Sequence, residues 1–285
     1  MIEEQLAEVI RANPGLGPLV LRTKLKEALQ GYVLEFVYNH PVYRAFLFTG
    51  GTCLRHLYGL PRLSEDLDFD VEGTVDAQAF ANDVQTYVER SLHYSHLQTR
   101  VSASGMSVSL KFPVLQQLGL VHSSSDSSML LLRCDLAPER TGFYGDQRAP
   151  ISTTRSMFFV RAYDLPTMFA NKLAAFVGQV DRRGGAQTVP FKGRDVFDLV
   201  WFLQRSQRQN WSLTPNWPRV LALLGVPSPN DVLNTAAAKA RALRPAELAT
   251  DLQPFIEDQQ SLEGFLLNAS DVLPAQLAEL GRHAG

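Results

Sequence analysis

Polar and apolar positions alternate along this chain with two different periods. Residues 2–12 and 19–39 carry apolar positions at helical spacing, separated by the breaker cluster Asn13-Pro14-Gly15-Leu16-Gly17-Pro18. A short apolar strand is expected at 45–49, ending in Gly50-Gly51-Thr52, with a helix to about residue 57. Residues 66–71 then repeat every second position: Asp66, Asp68 and Asp70 alternate with Leu67, Phe69 and Val71. One face of that strand can enter a core while the other presents carboxylates. Asp76 is placed to cap a helix to about residue 92. Segments near 94–103 and 106–112 hinge on Ser104-Gly105 as a hairpin, the loop 123–128 is polar and expected to be mobile, and strands follow at 129–136 and 156–161. Beyond these the pattern is helical, with a glycine-rich break at 181–193 and an alanine run, Thr235 to Arg241, suited to helix. Mixed α+β followed by nearly all-α predicts two lobes with a boundary near residue 160.

The 285 residues are 45% hydrophobic and 20% charged, which are globular values. Cys53 and Cys134 are too few for a disulfide framework, and both lie in apolar segments where a thiol behaves as a small hydrophobe. No secretory start and no long apolar run is present, which points to a reduced, cytoplasmic setting and no membrane partner. The net charge of −2 is uneven: residues 151–218 hold nine Lys/Arg against four Asp. Such a local excess suits a polyanion, although a solvated basic surface has the same composition.

Carboxylates stacked along one strand face repel one another, and a cation relieves that repulsion. In strand 129–136, Arg133 and Asp135 share the side opposite Leu130, Leu132, Cys134 and Leu136. If that strand lies beside 66–71, Asp135 becomes a third carboxylate beside Asp66 and Asp68. Neighbouring strands sit about 4.8 Å apart, and three carboxylates at that spacing can hold two divalent ions about 3.5–4 Å from each other. Asp70 and Glu72, further along, read as solvated.

Gly50-Gly51 opens a helix and offers unpaired N–H groups to a phosphate, with the Thr52 hydroxyl nearby. Arg62 and Ser64 precede the acidic strand, where they can touch phosphate or orient Asp66. Lys172 falls in the apolar stripe of the helix that Asp164 caps; it either snorkels or aims its charge at a nucleotide phosphate. Asp195 and Asp198 share a face in the first turn of a later helix. The helix dipole accounts for one of them, and an ion pair from Asp195 to Lys172 would explain why both face inward.

Together, Phe48-Thr49-Gly50-Gly51-Thr52-Cys53-Leu54-Arg55, Arg62-Leu63-Ser64-Glu65-Asp66-Leu67-Asp68-Phe69, Lys172-Leu173-Ala174-Ala175 and Arg194-Asp195-Val196-Phe197-Asp198 resemble the nucleotidyltransferase toxins of the AbiEii/AbiGii type, MenT toxins included. These belong to the DNA polymerase β-like nucleotidyltransferase superfamily. The resemblance implies an α+β fold: a polymerase β-like core with a mixed sheet over 1–160, N-terminal helices included. A mainly α-helical C-terminal lobe over 161–285 would carry Lys172 and Asp195. It implies transfer of a nucleoside monophosphate from an NTP to an RNA acceptor, the tRNA 3′ end in MenT-like members, with Mg²⁺, or Mn²⁺ in its place. It also implies a cognate antitoxin. The expected catalytic residues are Asp66, Asp68, Asp135, Lys172 and Asp195; the metal would sit on Asp66, Asp68 and Asp135. Nucleotide contacts would come from Gly50, Gly51, Thr52, Arg62, Ser64 and Lys172. Rival readings are transfer to a small molecule, as in antibiotic-modifying relatives, and a nucleotide-binding regulator without turnover. Residues 205–285 carry no recognised motif.

Overall fold

The computed structural model describes all residues except Met1, His122, Ser124, Ser125, Gln179, Val180, Gly184, Gly185, Ala186, Pro190, Ala284 and Gly285; of 181–183 and 187–189 it describes the backbone alone. The expected mobility of the loop 123–128, and the middle of the break at 181–193, therefore lie partly outside the described residues. The chain forms two compact units, one of 1–139 with 147–162 and one of 140–146 with 163–285.

The first unit opens with α1 (Ile2–Ala12) and α2 (Pro18–Asn39), and Pro18 starts α2 in its first turn, where a missing N–H costs nothing. A 3-10 turn, Tyr43–Ala45, occupies the expected beginning of the first strand, so β1 is only Leu47–Thr49. Then come α3 (Gly50–Tyr58), β2 (Leu67–Val71), α4 (Ala77–Leu92), β3 (Gln98–Val101), β4 (Ser107–Phe112), β5 (Leu130–Pro138), β6 (Asp146–Ser152) and β7 (Met157–Tyr163). The Asp76 side chain accepts from the Gln78 and Ala79 amides, so the expected cap of α4 is present. These strands form a seven-stranded mixed sheet in the order β3-β4-β5-β2-β1-β7-β6. β1 and β2 are antiparallel, while β2 and β5, and β1 and β7, are parallel.

The alternation in β2 sets the sheet's two faces. Leu67, Phe69 and Val71 are buried and Asp68 and Asp70 are half-buried. Phe69 packs against Phe46, Phe48 and Tyr38, with ring centroids 5.7–6.4 Å apart. Phe46 and Tyr43 extend this cluster to Phe80 of α4, and Phe36 of α2 joins the same ring. Each buried phenylalanine contributes about 1.5–3 kcal/mol, so this cluster anchors the strand that carries the carboxylates. Cys53 and Cys134 are fully buried, and burial raises both thiols' pKa values.

β6 was not expected from the sequence. It reads Asp-Gln-Arg-Ala-Pro-Ile-Ser, without apolar alternation and with a proline, which an edge strand tolerates.

The second unit contains α5 (Leu165–Gly178), β8 (Asp181–Arg183), β9 (Gln187–Val189), α6 (Gly193–Arg208), α7 (Trp217–Leu224), α8 (Pro229–Arg241), α9 (Pro245–Leu252) and α10 (Gln259–Arg282). The expected glycine-rich break holds an antiparallel pair, β8 with β9, before α6 begins. α5 and α6 pack through Phe169 and Phe202, stacked at 4.7 Å. Asp164 caps α5 by accepting from the Thr167 amide at 2.9 Å. Among the described residues no helix is long and apolar enough to cross a membrane.

Candidate active site

β1 delivers the chain to a helix start that only glycine can build. Gly50 has φ +77°, and a methyl group on its Cα would overlap the carboxylate of Asp68. Asp68 lies at that point because β2 runs antiparallel to β1 with Asp68 opposite Thr49. Its negative charge therefore stands at the N-terminus of α3, where the helix dipole favours it. A side chain at Gly51 would come within 2.7 Å of the Arg62 guanidinium and 2.9 Å of the Ser64 hydroxyl. Both glycines are thus needed for close approach, the first for backbone conformation as well.

The loop before β2 is strapped to α2. Gln30 donates to the Ser64 carbonyl at 2.8 Å, and Lys26 pairs with Glu65 at 2.7 Å. Arg62 is buried and donates to the Leu63 carbonyl at 2.9 Å. Ser64 is buried beside it. Thr52 is fully buried, and its hydroxyl donates to the backbone carbonyl of Asp66. That bond fixes the chain at Asp66, immediately before β2. Glu72, expected to be solvated, is half exposed and pairs with Arg161 at 2.7 Å.

Asp135 meets Asp68 through sheet register. β5 runs parallel to β2 with Cys134 opposite Leu67 and Asp135 opposite Asp68. Neighbouring residues on adjacent strands point to the same face, so two carboxylates face each other across the ladder. Asp135 is turned towards its own strand neighbour: Arg133 Nε donates to Asp135 Oδ1 at 2.7 Å. Asp135, Asp66 and Asp68 all raise the pKa of Arg133, Asp135 most strongly through this hydrogen bond. Among the described residues no three His, Cys, Asp or Glu side chains converge closely enough to hold an ion. The donor chemistry nonetheless suits a hard divalent cation, since the oxygens are carboxylates on two adjacent strands beside a glycine-built helix start.

In the second unit, Lys172 of α5 is held by two carboxylates of α6, Asp195 at 3.1 Å and Asp198 at 2.8 Å. The ion pair to Asp195 expected from spacing is present, and the snorkelling alternative is not. Asp198, seen in the sequence only as a helix-face neighbour of Asp195, has a completely buried side chain. Asp251 accepts from the Gly193 amide at 2.6 Å, so the start of α6 is capped from α9.

The model of the nucleotidyl transferase AbiEii toxin family, type IV toxin-antitoxin system, matches residues 38–261. The chain belongs to that family. This AbiEii-family protein is a nucleotidyltransferase, a toxin of a type IV system, and the family implies a cognate antitoxin. Its fold is similar to that of MenT4, a nucleotidyltransferase toxin from Mycobacterium tuberculosis, at TM-score 0.55 and 16% identity over 98% of this chain and 92% of that one. JHP933 from Helicobacter pylori is similar at TM-score 0.50 and 16% identity, over 92% of this chain and 94% of that one. Comparison with curated proteins yields no match by sequence. The expected α+β nucleotidyltransferase fold with a helical C-terminal part is therefore shown.

Proposed function

We propose that this toxin transfers a nucleoside monophosphate from an NTP to an RNA acceptor, the 3′ end of tRNA, and thereby blocks translation. The observation that supports it best is the pairing of Asp68 with Asp135 beside the helix start that Gly50 opens. In the proposed reaction an acceptor hydroxyl oxygen bonds to the α-phosphorus. The bond from that phosphorus to the oxygen bridging the α- and β-phosphates breaks, and pyrophosphate leaves with the electron pair. Asp135 takes the hydroxyl proton, a role for a general base. The amides at Gly50 and Gly51 bind phosphate oxygens. Thr52, Arg62 and Ser64 add nucleotide contacts, and Thr52 also holds the chain at Asp66. Asp66, Asp68 and Asp135 would hold divalent cations, Mg²⁺ or Mn²⁺, which when bound acidify the hydroxyl and neutralise charge on the leaving group. Lys172, oriented by Asp195 and Asp198, is required for the transfer. A cytoplasmic location accords with an RNA acceptor and the reduced cysteines.

The test is incubation with each α-labelled NTP, Mg²⁺ and total tRNA. Label on RNA with the native protein and none with Asp68→Ala is the expected result. No label on RNA with any NTP, from folded protein, would sink the RNA acceptor; label in a small molecule instead would point to an antibiotic-type substrate.

A further inference from the structure

The transfer reaction gives Arg133 no task, yet Arg133 is the residue that engages Asp135. Its Nε–H donates to Asp135 Oδ1 at 2.7 Å from two residues earlier on β5. Cys134 stands opposite Leu67, the first residue of β2, and Arg133 and Asp66 are the residues immediately before that pair. Asp66 and Asp68 both act on its charge, beyond Asp135 itself. One guanidinium thus lies in the field of three carboxylates. Arg133 is half exposed and Asp135 less so, and a pair so open to solvent adds little to stability. The three carboxylates are a larger matter, since like charges gathered together repel and a cation beside them relieves that repulsion.

We infer that Arg133 is the resident counter-cation of the carboxylate cluster, occupying Asp135 until a divalent cation displaces it and so setting how tightly that cation binds. This rests on the proposed reading that Asp66, Asp68 and Asp135 hold divalent cations. A guanidinium suits the task because it is always charged and its planar donors match a carboxylate. Displacement exchanges one cation for another on the same oxygens, and the released guanidinium returns to water through its exposed side. Cation affinity is then lower than three ionised carboxylates would otherwise confer. The cluster also keeps a partner while no cation is present.

Manganese binding by the full chain, followed calorimetrically without nucleotide or RNA, tests the inference. Arg133→Gln is expected to bind Mn²⁺ about tenfold more tightly, the scale on which groups behind metal ligands act. Without Mn²⁺ it is expected to melt at a lower temperature than the native protein, so that Mn²⁺ raises its melting temperature by more. Unchanged or weaker Mn²⁺ binding by a folded Arg133→Gln, with the native protein binding normally, overturns the inference and leaves the metal reading standing. Should neither protein bind Mn²⁺, the metal reading falls and takes the inference with it. If Arg133→Gln does not fold, the native protein still decides: the Arg133 Nε–H resonance should move on adding Mg²⁺ and stay still in Asp68→Ala. A resonance that ignores Mg²⁺ overturns the inference.

Discussion

At Gly50, backbone and side-chain requirements coincide. Its φ of +77° is one that L side chains rarely adopt, and the space where a Cβ would sit is filled by the Asp68 carboxylate. Gly50→Ala should therefore cost about 1–2 kcal/mol of backbone strain and push Asp68 off the start of α3. The proposed transfer to RNA is expected to fall at least about a hundredfold, the scale of losing one preorganised charge-stabilising group. The circular dichroism spectrum should stay native. Retention of near-native turnover in folded Gly50→Ala would count against the placement of Asp68. Residue type alone announced the glycine turn and the acidic strand. It did not say where Thr52 and Arg62 point. A threonine after Gly-Gly reads as a phosphate ligand; that its hydroxyl donates to the Asp66 carbonyl is set by packing.

Between elements, the decisive contacts are two. The α5–α6 pair holds Lys172 against Asp195 and Asp198, with the Asp198 side chain wholly buried. Removing one member of such a set leaves a buried charge unpaired, which costs about 3–5 kcal/mol. Lys172→Met should lose that much in urea unfolding. Lys172→Met with Asp198→Leu should recover part of the stability, Asp195 still lacking its cation, while RNA labelling stays absent. A double variant that regains labelling would reduce Lys172 to a structural role. The other contact is β2 with β5. Alternation marked both strands and placed Arg133 and Asp135 on one face, but which strands are neighbours is decided across more than 60 residues of chain. Only the register, Asp68 opposite Asp135, makes the carboxylates one cluster.

Over the whole molecule, the chain leaves the first unit at Arg140, returns with Gln147, and leaves again after Ala162. The excursion 140–146 is tied into the second unit by Arg219, which is buried and stacks over Tyr163 at 4.8 Å. Its guanidinium donates to Asn171 Oδ1 at 2.6 Å, Thr141 Oγ1 at 3.0 Å and the Phe143 carbonyl at 3.4 Å. Arg219→Met strands those acceptors and should cost on the order of 3 kcal/mol. Hydrogen exchange should quicken at the Gly145 and Asp164 amides, which bond to Thr167 Oγ1 and the Gly145 carbonyl. Unchanged protection at those two amides would show that Arg219 does not hold the excursion. Nothing in 140–146 marked this route, because Arg-Thr-Gly-Phe-Tyr-Gly-Asp has no periodicity and reads as a plain connection. By itself the sequence determined the helices and strands with strong periodicity, the glycine turn, the carboxylate-bearing faces and the place of Lys172 in an apolar helical stripe, because each follows from local residue spacing. Tertiary structure alone decided that Asp68 meets Asp135, that Arg133 takes up Asp135, that Asp198 shares Lys172, and that Thr52 secures Asp66. Those facts depend on which distant segments pair and in what register, and burial of the whole core, rather than any local pattern, selects that pairing.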